Sequence, residues 1–128
     1  MSHVTRVKTQ LKNLEILEKA CRALKIPFRC GAHRIRLYSG TAVAVASFEL
    51  PEWRYPVAVE ADGSLAYDNY NGGWGEVMHL NRLKQEYVFQ AASEFAVRQG
   101  GTVSREHVAD GTQRIRVQLP DQSQMLQR

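Results

Sequence analysis

The sequence has few cysteines, no long apolar run and no large excess of one charge. Its two cysteines, Cys21 and Cys30, are nine positions apart. This spacing matches no zinc motif, so we predict two core or near-core thiols without a metal or disulfide role. The longest apolar run, 41–48, falls far short of the roughly 20 residues that span a bilayer. With no apolar signal segment at the start, we expect a protein of the cytoplasm or of an organelle interior, without membrane contact.

Catalytic and cofactor signatures are also missing. There is no nucleophile elbow, phosphate-binding loop, dinucleotide fingerprint or kinase motif set. The histidines lack metal-site spacing; they are His3, His33, His79 and His107. Asp68 and Glu76 either form paired carboxylates or cap a turn and open a helix. We therefore predict no catalytic residue, no metal and no cofactor, and keep open an enzyme or metal site assembled in space from His3, Asp68 or His107.

The totals are those of a globular protein. Hydrophobic residues make up 44% of the 128 residues and charged residues 23%, and a chain of this size suits one domain with one core. Seventeen Lys and Arg against thirteen Asp and Glu give a net charge of +4, which favours an anionic partner without requiring one. We predict a single α+β domain over 1–119 and a loose polar tail over 120–128.

Helical periodicity is confined to two stretches. The first begins after Asn13, a suitable N-cap, and should end at Lys25 or Ile26 because Pro27 follows. Its apolar positions are Leu14, Leu17, Cys21 and Leu24, with Ile16 and Ala20 beside them. The second covers 76–99 and ends at a glycine pair. Its apolar stripe is Leu80, Leu83, Tyr87, Ala91 and Phe95.

Alternating stretches on both sides of each helix predict strands. They are 3–9, 28–30, 33–38, 41–50, two strands within 55–70 joined at an Asp-Gly turn, 102–108 and 113–119. The order is β-α-β-β, an additional strand or hairpin, and β-α-β-β. This order predicts an α+β fold, a mainly antiparallel sheet with two helices on one face. The similar strands HRIRLY and QRIRVQL are compatible with a pseudo-twofold β-α-β-β repeat.

Cationic side chains share one side of several predicted strands. Arginines alternate with Ile35 and Leu37, and again with Ile115 and Val117, so an open sheet face would carry a cationic band. The candidates are Arg6, Lys8, Arg34, Arg36, Arg114 and Arg116. Such a band could bind phosphates or carboxylates, although a solvated sheet face needs polar residues in any case. No strand carries the aromatic pair that RNA-recognition sheets use for stacking.

The stretch YDNYNGGWGE, residues 67–76, combines glycines with aromatic side chains. The glycines allow the chain to leave a strand and enter a helix, but a turn does not need Tyr67, Tyr70 and Trp74. These three residues are candidates for partner binding, since an exposed tryptophan resembles an interaction hot spot. The alternative is that the rings pack down on the sheet.

The opening MSHVTRVKTQLKNLEILEKA and the elements Trp74-Gly75 and Gln85-x-Tyr87 resemble the hypothetical chloroplast reading frame thirty-five family of cyanobacteria and algal plastids. Its members begin Met-Ser-His-Phe and carry a Trp- and Gly-containing turn before a helix with Gln-x-Tyr. The resemblance extends to about Leu119. Val4 replaces the usual aromatic, one tryptophan stands where two are common, and Val88 replaces alanine, which indicates a distant member.

Family members are often encoded near an AAA-type ATPase and a ferredoxin-like protein. The resemblance therefore implies an accessory role in a bacterial cytoplasm or plastid stroma and supplies no catalytic residues. We predict a non-enzymatic accessory or adaptor module that binds a protein partner, such as an AAA-type ATPase or redox assembly, through the sheet face or the Trp74 loop. The alternative is nucleic-acid binding through the arginine-rich sheet face. The sequence specifies no oligomeric state.

Overall fold

The computed structural model describes residues 11–38, 40–69, 73–107 and 112–120, and the backbone of 5–7. Two helices and seven strands lie within them, in the predicted order. The elements are β1 (Thr5–Val7), α1 (Leu14–Ala23), β2 (Phe28–Leu37), β3 (Gly40–Phe48), β4 (Val57–Val59), β5 (Leu65–Tyr67), α2 (Val77–Arg98), β6 (Thr102–His107) and β7 (Gln113–Gln118).

The strands form two antiparallel sheets. Five strands pair in the order β1-β5-β4-β3-β2, and β6 pairs with β7 alone among the described strands. The α+β fold with a mainly antiparallel sheet is thus confirmed. The pseudo-twofold repeat is not confirmed, because β2 and β3 belong to the larger sheet whereas the corresponding β6 and β7 form their own.

The chain divides into two compact units, Met1–Tyr87 and Val88–Arg128. The first contains the five-stranded sheet, α1 and the beginning of α2. The second contains the remainder of α2 and the β6–β7 hairpin. A single domain over 1–119 stays a prediction, and residues 121–128 of the predicted tail lie outside the described residues.

The first helix has the predicted start and a shorter end. The Asn13 side chain accepts hydrogen bonds from the backbone N–H groups of Glu15 and Ile16, as an N-cap does. The end lies before Lys25, which has a left-handed backbone with φ of 59°. There the Ile26 N–H donates to the Cys21 carbonyl at 2.8 Å, closing a Schellman motif. This backbone turn, rather than Pro27, therefore ends α1.

The β2 strand joins two predicted strands. Residues 28–30 and 33–38 were expected to be separate, but Phe28–Leu37 is one strand paired with β3, with an irregular register between Cys30 and His33. Gly31 lies there with a φ of 106°, a conformation that glycine adopts without strain. The His33 ring reinforces the irregularity, with Nδ1 at 2.5 Å from the Gly31 carbonyl and Nε2 at 2.8 Å from Ser47 Oγ.

The core of the first unit is formed by both helices and the sheet. Leu17 and Cys21 of α1 are fully buried, as are Leu80 and Leu83 of α2. The Asn13 N–H donates to the Tyr87 hydroxyl at 3.1 Å, which connects the start of α1 to α2. Among the described residues, the largest fully buried side chain is that of Phe48. A second cluster contains Ile35, Leu37, Ala42, Ala44, Ala58 and Ala66, with Tyr55 packed against it.

The predicted apolar stripe of α2 is correct at its beginning and wrong at its end. In the second unit Ala96 is buried, whereas Phe95 is 47% exposed. The Arg105 guanidinium of β6 stacks over Phe89 at 4.0 Å from the ring centroid. Residues 89 and 96 are seven positions apart, so they lie on the same face of the helix. This face is about half a turn away from the face that carries Tyr87. The buried face therefore changes along the helix, which a single stripe could not represent.

The two cysteines differ in their environment. Cys21 is buried as predicted, but Cys30 is exposed, which corrects the core assignment, and both thiols are free. Burial raises the pKa of the Cys21 thiol from its usual 9.0 to about 12, and the charge of Glu18 adds to the increase. Cys21 therefore stays protonated, and thus unreactive, at neutral pH.

We expect a thiol-reactive chromogenic reagent at neutral pH to modify Cys30 rapidly and Cys21 only after unfolding. The raised pKa also means that the unfolded chain loses the Cys21 proton at lower pH than the folded chain. The corresponding stability is complete below pH 9.0 and decreases as pH rises towards about 12. Counting modified thiols in native protein and in denaturant checks the expected reactivity of the two cysteines. A Cys21→Ser variant that loses the fast-reacting thiol would contradict the assignment of that thiol to Cys30.

Candidate partner-binding surface

The chain around Trp74 is held by backbone hydrogen bonds on both sides. The Trp74 N–H donates to the Asn69 carbonyl at 2.9 Å, and the Arg54 N–H donates to the Trp74 carbonyl at 2.8 Å. The buried Asn69 amide donates to the Gly75 carbonyl at 3.2 Å. These contacts do not involve the indole, so the backbone position of Trp74 is fixed independently of its side chain.

Trp53 fills the space beneath this segment. Its Nε1 donates to the Glu76 carbonyl at 3.0 Å, and its ring meets Tyr67 edge-on with centroids 5.4 Å apart. A Cβ on Gly75 would overlap three carbons of the Trp53 ring. Close approach to Trp53 is therefore the reason for glycine at position 75.

The Trp74 indole is half-buried within a group of aromatic side chains. Its ring centroid is 5.1 Å from that of Tyr38 and 5.6 Å from that of Tyr55, in tilted and edge-on arrangements typical of aromatic pairs. The Arg54 guanidinium lies 5.1 Å from the centroid, within cation–π distance. We call Tyr38, Arg54, Tyr55 and Trp74 the aromatic platform. Tyr38 is 62% exposed, so the platform is open to solvent.

Of the two predicted loop aromatics that the structure describes, Tyr67 and Trp74, only Trp74 belongs to the platform. Tyr67 is 8% exposed, and burial raises the pKa of its hydroxyl above the usual 10.0. Its ring is therefore a packing element beside Trp53 with little surface to offer a partner. Tyr70 lies outside the described residues. Sequence reasoning missed Tyr38, Arg54 and Tyr55, although the aromatic density of residues 53–55 was a signal.

The predicted cationic band lies on two different sheets. Arg34 and Arg36 of β2 are exposed and alternate with buried Ile35 and Leu37, as predicted. Arg114 and Arg116 are exposed on β7, which belongs to the two-stranded sheet. Arg114 forms an exposed ion pair with Glu106 at 3.1 Å. For Arg6 only the backbone is described, in β1 paired with Ala66, and Lys8 is not among the described residues.

One member of the aromatic platform comes directly after the strand that carries Arg34 and Arg36. This strand ends at Leu37, and Tyr38 is the next residue. Exposed positions thus continue from Arg34 and Arg36 to Tyr38, which contacts Trp74. The structure therefore connects one half of the predicted arginine face to the Trp74 loop.

Within the described residues, no three His, Cys, Asp or Glu side chains converge as metal ligands would. His79 lies 3.8 Å from a Glu52 oxygen, and His107 is exposed on β6. Asp68 is buried whereas Glu76 is exposed. His3 is outside the described residues. The described helices include none that is both long and apolar enough to cross a membrane.

Comparison with known proteins identifies a distant relative. No protein-family model matches the chain, and no solved structure matches it significantly. The relative is the uncharacterized protein ycf35 of Cyanophora paradoxa, which is 27% identical over 126 residues, covering 92% of this chain and 97% of the relative. The chain is thus a distant homologue of a ycf35 protein along nearly its whole length, and the predicted relationship to the hypothetical chloroplast reading frame thirty-five family is confirmed.

Proposed function

We propose that the protein is a non-enzymatic accessory module that binds a protein partner through the aromatic platform. The observation that supports this proposal is the fixed position of a half-buried tryptophan between Tyr38, Tyr55 and Arg54 at an open surface. Trp, Tyr and Arg are the residue types that dominate the binding energy of protein interfaces.

Rigidity strengthens the proposal. The backbone of Trp74 is anchored at its N–H and its carbonyl, and three neighbouring side chains restrict the indole. A side chain that is ordered before binding loses little entropy on binding, so more of the contact energy contributes to affinity. The tyrosines and the tryptophan also offer polar groups at the ends of apolar rings. A partner with an apolar anchor and hydrogen-bonding groups would suit this surface.

The family relationship suggests which partner to test first. An AAA-type ATPase or a redox assembly is our proposed partner, in a bacterial cytoplasm or plastid stroma, because such proteins are often encoded near family members. The name of the relative attributes no activity to it. The proposed partner therefore follows from the family resemblance, and the proposed surface follows from the geometry of the platform.

We expect Trp74→Ala to weaken partner binding at least about tenfold while the fold persists, since hot-spot tryptophans contribute more than about 1.4 kcal/mol. The backbone hydrogen bonds of Trp74 do not need its indole. Phe95→Ala is the matched control because it removes another exposed aromatic ring, in the second unit. Tagged wild-type and variant proteins would be used to capture partners from native lysate, and the affinity of each identified partner would then be measured.

Equal affinity of wild type and Trp74→Ala, with both folded by circular dichroism, would contradict the platform as the binding surface. Loss of affinity in Phe95→Ala as well would show that the effect is not specific to Trp74. The capture is run with and without nuclease. A protein that remains bound after nuclease treatment supports the proposal.

Single-stranded nucleic acid is a second candidate, supported by the continuity of Arg34, Arg36 and Tyr38 with Trp74. Proteins that bind single strands combine cationic grooves with aromatic rings on which bases stack. The strands themselves carry no aromatic pair for base stacking, but the rings of Tyr38 and Trp74 lie beside the end of β2. Recovery of bound material that disappears with nuclease would favour this candidate over a protein partner.

A further inference from the structure

The β2 strand lies at one edge of the five-stranded sheet. Its only partner strand among the described residues is β3. It is ten residues long. An edge strand presents backbone N–H and carbonyl groups that can pair with another chain. The irregularity at Gly31 interrupts the edge, so the regular segment is His33–Leu37.

This edge carries exposed arginines. Arg29, Arg34 and Arg36 are exposed, and no ion pair involves them within the described part of the chain. By contrast, exposed Arg22 pairs with Glu18, and Arg114 pairs with Glu106. The guanidinium groups of β2 are therefore available for charge-assisted hydrogen bonds to carboxylates of another molecule.

A pocket of about 290 Å³ with mainly apolar walls opens beside the same strand. Its walls include Phe28 and Ile35 of β2, Phe48 of β3, and Pro27 and Pro56. Polar side chains complete the wall, namely Arg29, Ser47 and the acidic Glu49. In strand-addition complexes, backbone hydrogen bonds provide affinity and side-chain pockets provide selectivity. The edge of β2 has both a pairing segment and a pocket for an apolar anchor.

We propose that the β2 edge binds an extended acidic segment of a partner protein as an added strand. Its carboxylates pair with Arg34 and Arg36, and an apolar side chain enters the pocket beside Phe28. Charge complementarity selects this occupant. A second copy of β2 would oppose arginines to arginines, which is unfavourable across paired strands. The inference goes beyond the aromatic platform and does not depend on it.

The test uses the full chain and a short labelled peptide of alternating glutamate and valine with one leucine. We expect saturable binding by fluorescence anisotropy, and slower amide hydrogen exchange at 33–37 in the complex. Two control peptides separate the contributions. Glutamine in place of glutamate removes the charge, and a central proline removes a backbone donor and the strand conformation. Both controls should bind more weakly.

Protein variants locate the site. We expect Arg34→Glu or Arg36→Glu to weaken peptide binding by roughly tenfold or more, through loss of a charge-assisted contact and added repulsion. Arg116→Glu makes the same change in net charge at an exposed strand position of the other sheet, so a loss of affinity confined to the β2 variants would identify Arg34 and Arg36 as the contacts. The peptide assay measures binding at the β2 edge and the Trp74→Ala assay measures binding at the platform, so failure here and failure of the platform proposal are distinguishable.

Several results would overturn the proposal. Equal binding of the glutamine peptide, an equal loss in Arg116→Glu, or exchange protection away from 33–37 would each do so. A single-stranded oligonucleotide that protects the same residues more strongly than the acidic peptide would assign the arginines to nucleic acid. Concentration-dependent dimers with β2 protected in the absence of peptide would assign the edge to a second copy.

Discussion

Replacement of Phe48 by alanine is expected to lower the free energy of unfolding by about 3–5 kcal/mol, the range for truncation of a buried phenylalanine. Phe48 is 1% exposed and lies at the end of β3, opposite Phe28 of β2 and Val57 of β4. Truncation would remove the largest fully buried side chain among the described residues and join the vacated space to the neighbouring pocket. Urea denaturation of wild type and variant measures the difference, seen as a lower midpoint with an unchanged slope.

Val43→Ala is the matched control for this measurement. Val43 lies on the same strand, but it is 66% exposed and pairs with Arg34. Its truncation costs some strand propensity and almost no buried contact, so we expect a loss of no more than about 1 kcal/mol. A similar loss for both variants would mean that Phe48 is not at the centre of the core.

The second large effect is expected for Gly75→Ala, which should lower the free energy of unfolding by about 1–3 kcal/mol through overpacking. The added methyl group would overlap the Trp53 ring. Either the ring moves, losing its Nε1 bond to the Glu76 carbonyl, or the backbone moves, losing the Asn69 amide bond to the Gly75 carbonyl. Urea denaturation measures the cost.

A double-mutant cycle with Trp53→Ala tests the cause. If the overlap with the indole is responsible, Gly75→Ala should cost much less in the Trp53→Ala background than in wild type. A cost that is the same in both backgrounds would attribute the effect of the substitution to the backbone of residue 75. The cycle also shows whether this contact holds the segment that carries Trp74.

Local patterns predicted the elements because the relevant interactions are close in sequence. Asn13 caps α1 through N–H groups two and three residues away. The Asp-Gly signal placed the β4–β5 hairpin correctly, with Gly63 at a φ of 87° and the Glu60 N–H bonded to the Ser64 carbonyl at 2.8 Å. Helix α1 ended earlier than predicted because Lys25 adopts a conformation that its residue type does not favour.

The aromatic platform could not be predicted because its members are distant in sequence. Tyr38 and Tyr55 meet Trp74 only after β2, β3 and β4 have paired. Side-chain alternation predicted correctly that Arg34 and Arg36 are exposed, but it cannot assign strands to sheets. The cationic band therefore divided between two sheets, and the edge position of β2 became apparent only from the strand order.

The position of both tryptophans at one segment also affects the optical properties of the molecule. These are the two tryptophans of the chain, and each is adjacent to the segment 73–76, Trp53 through the Glu76 carbonyl and Trp74 within the segment itself. Their environments differ, since one indole faces Tyr67 and the other lies beneath a guanidinium group. Emission excited at the red edge of tryptophan absorption therefore reports on this one region, and a ligand arriving there would change the spectrum without any attached dye.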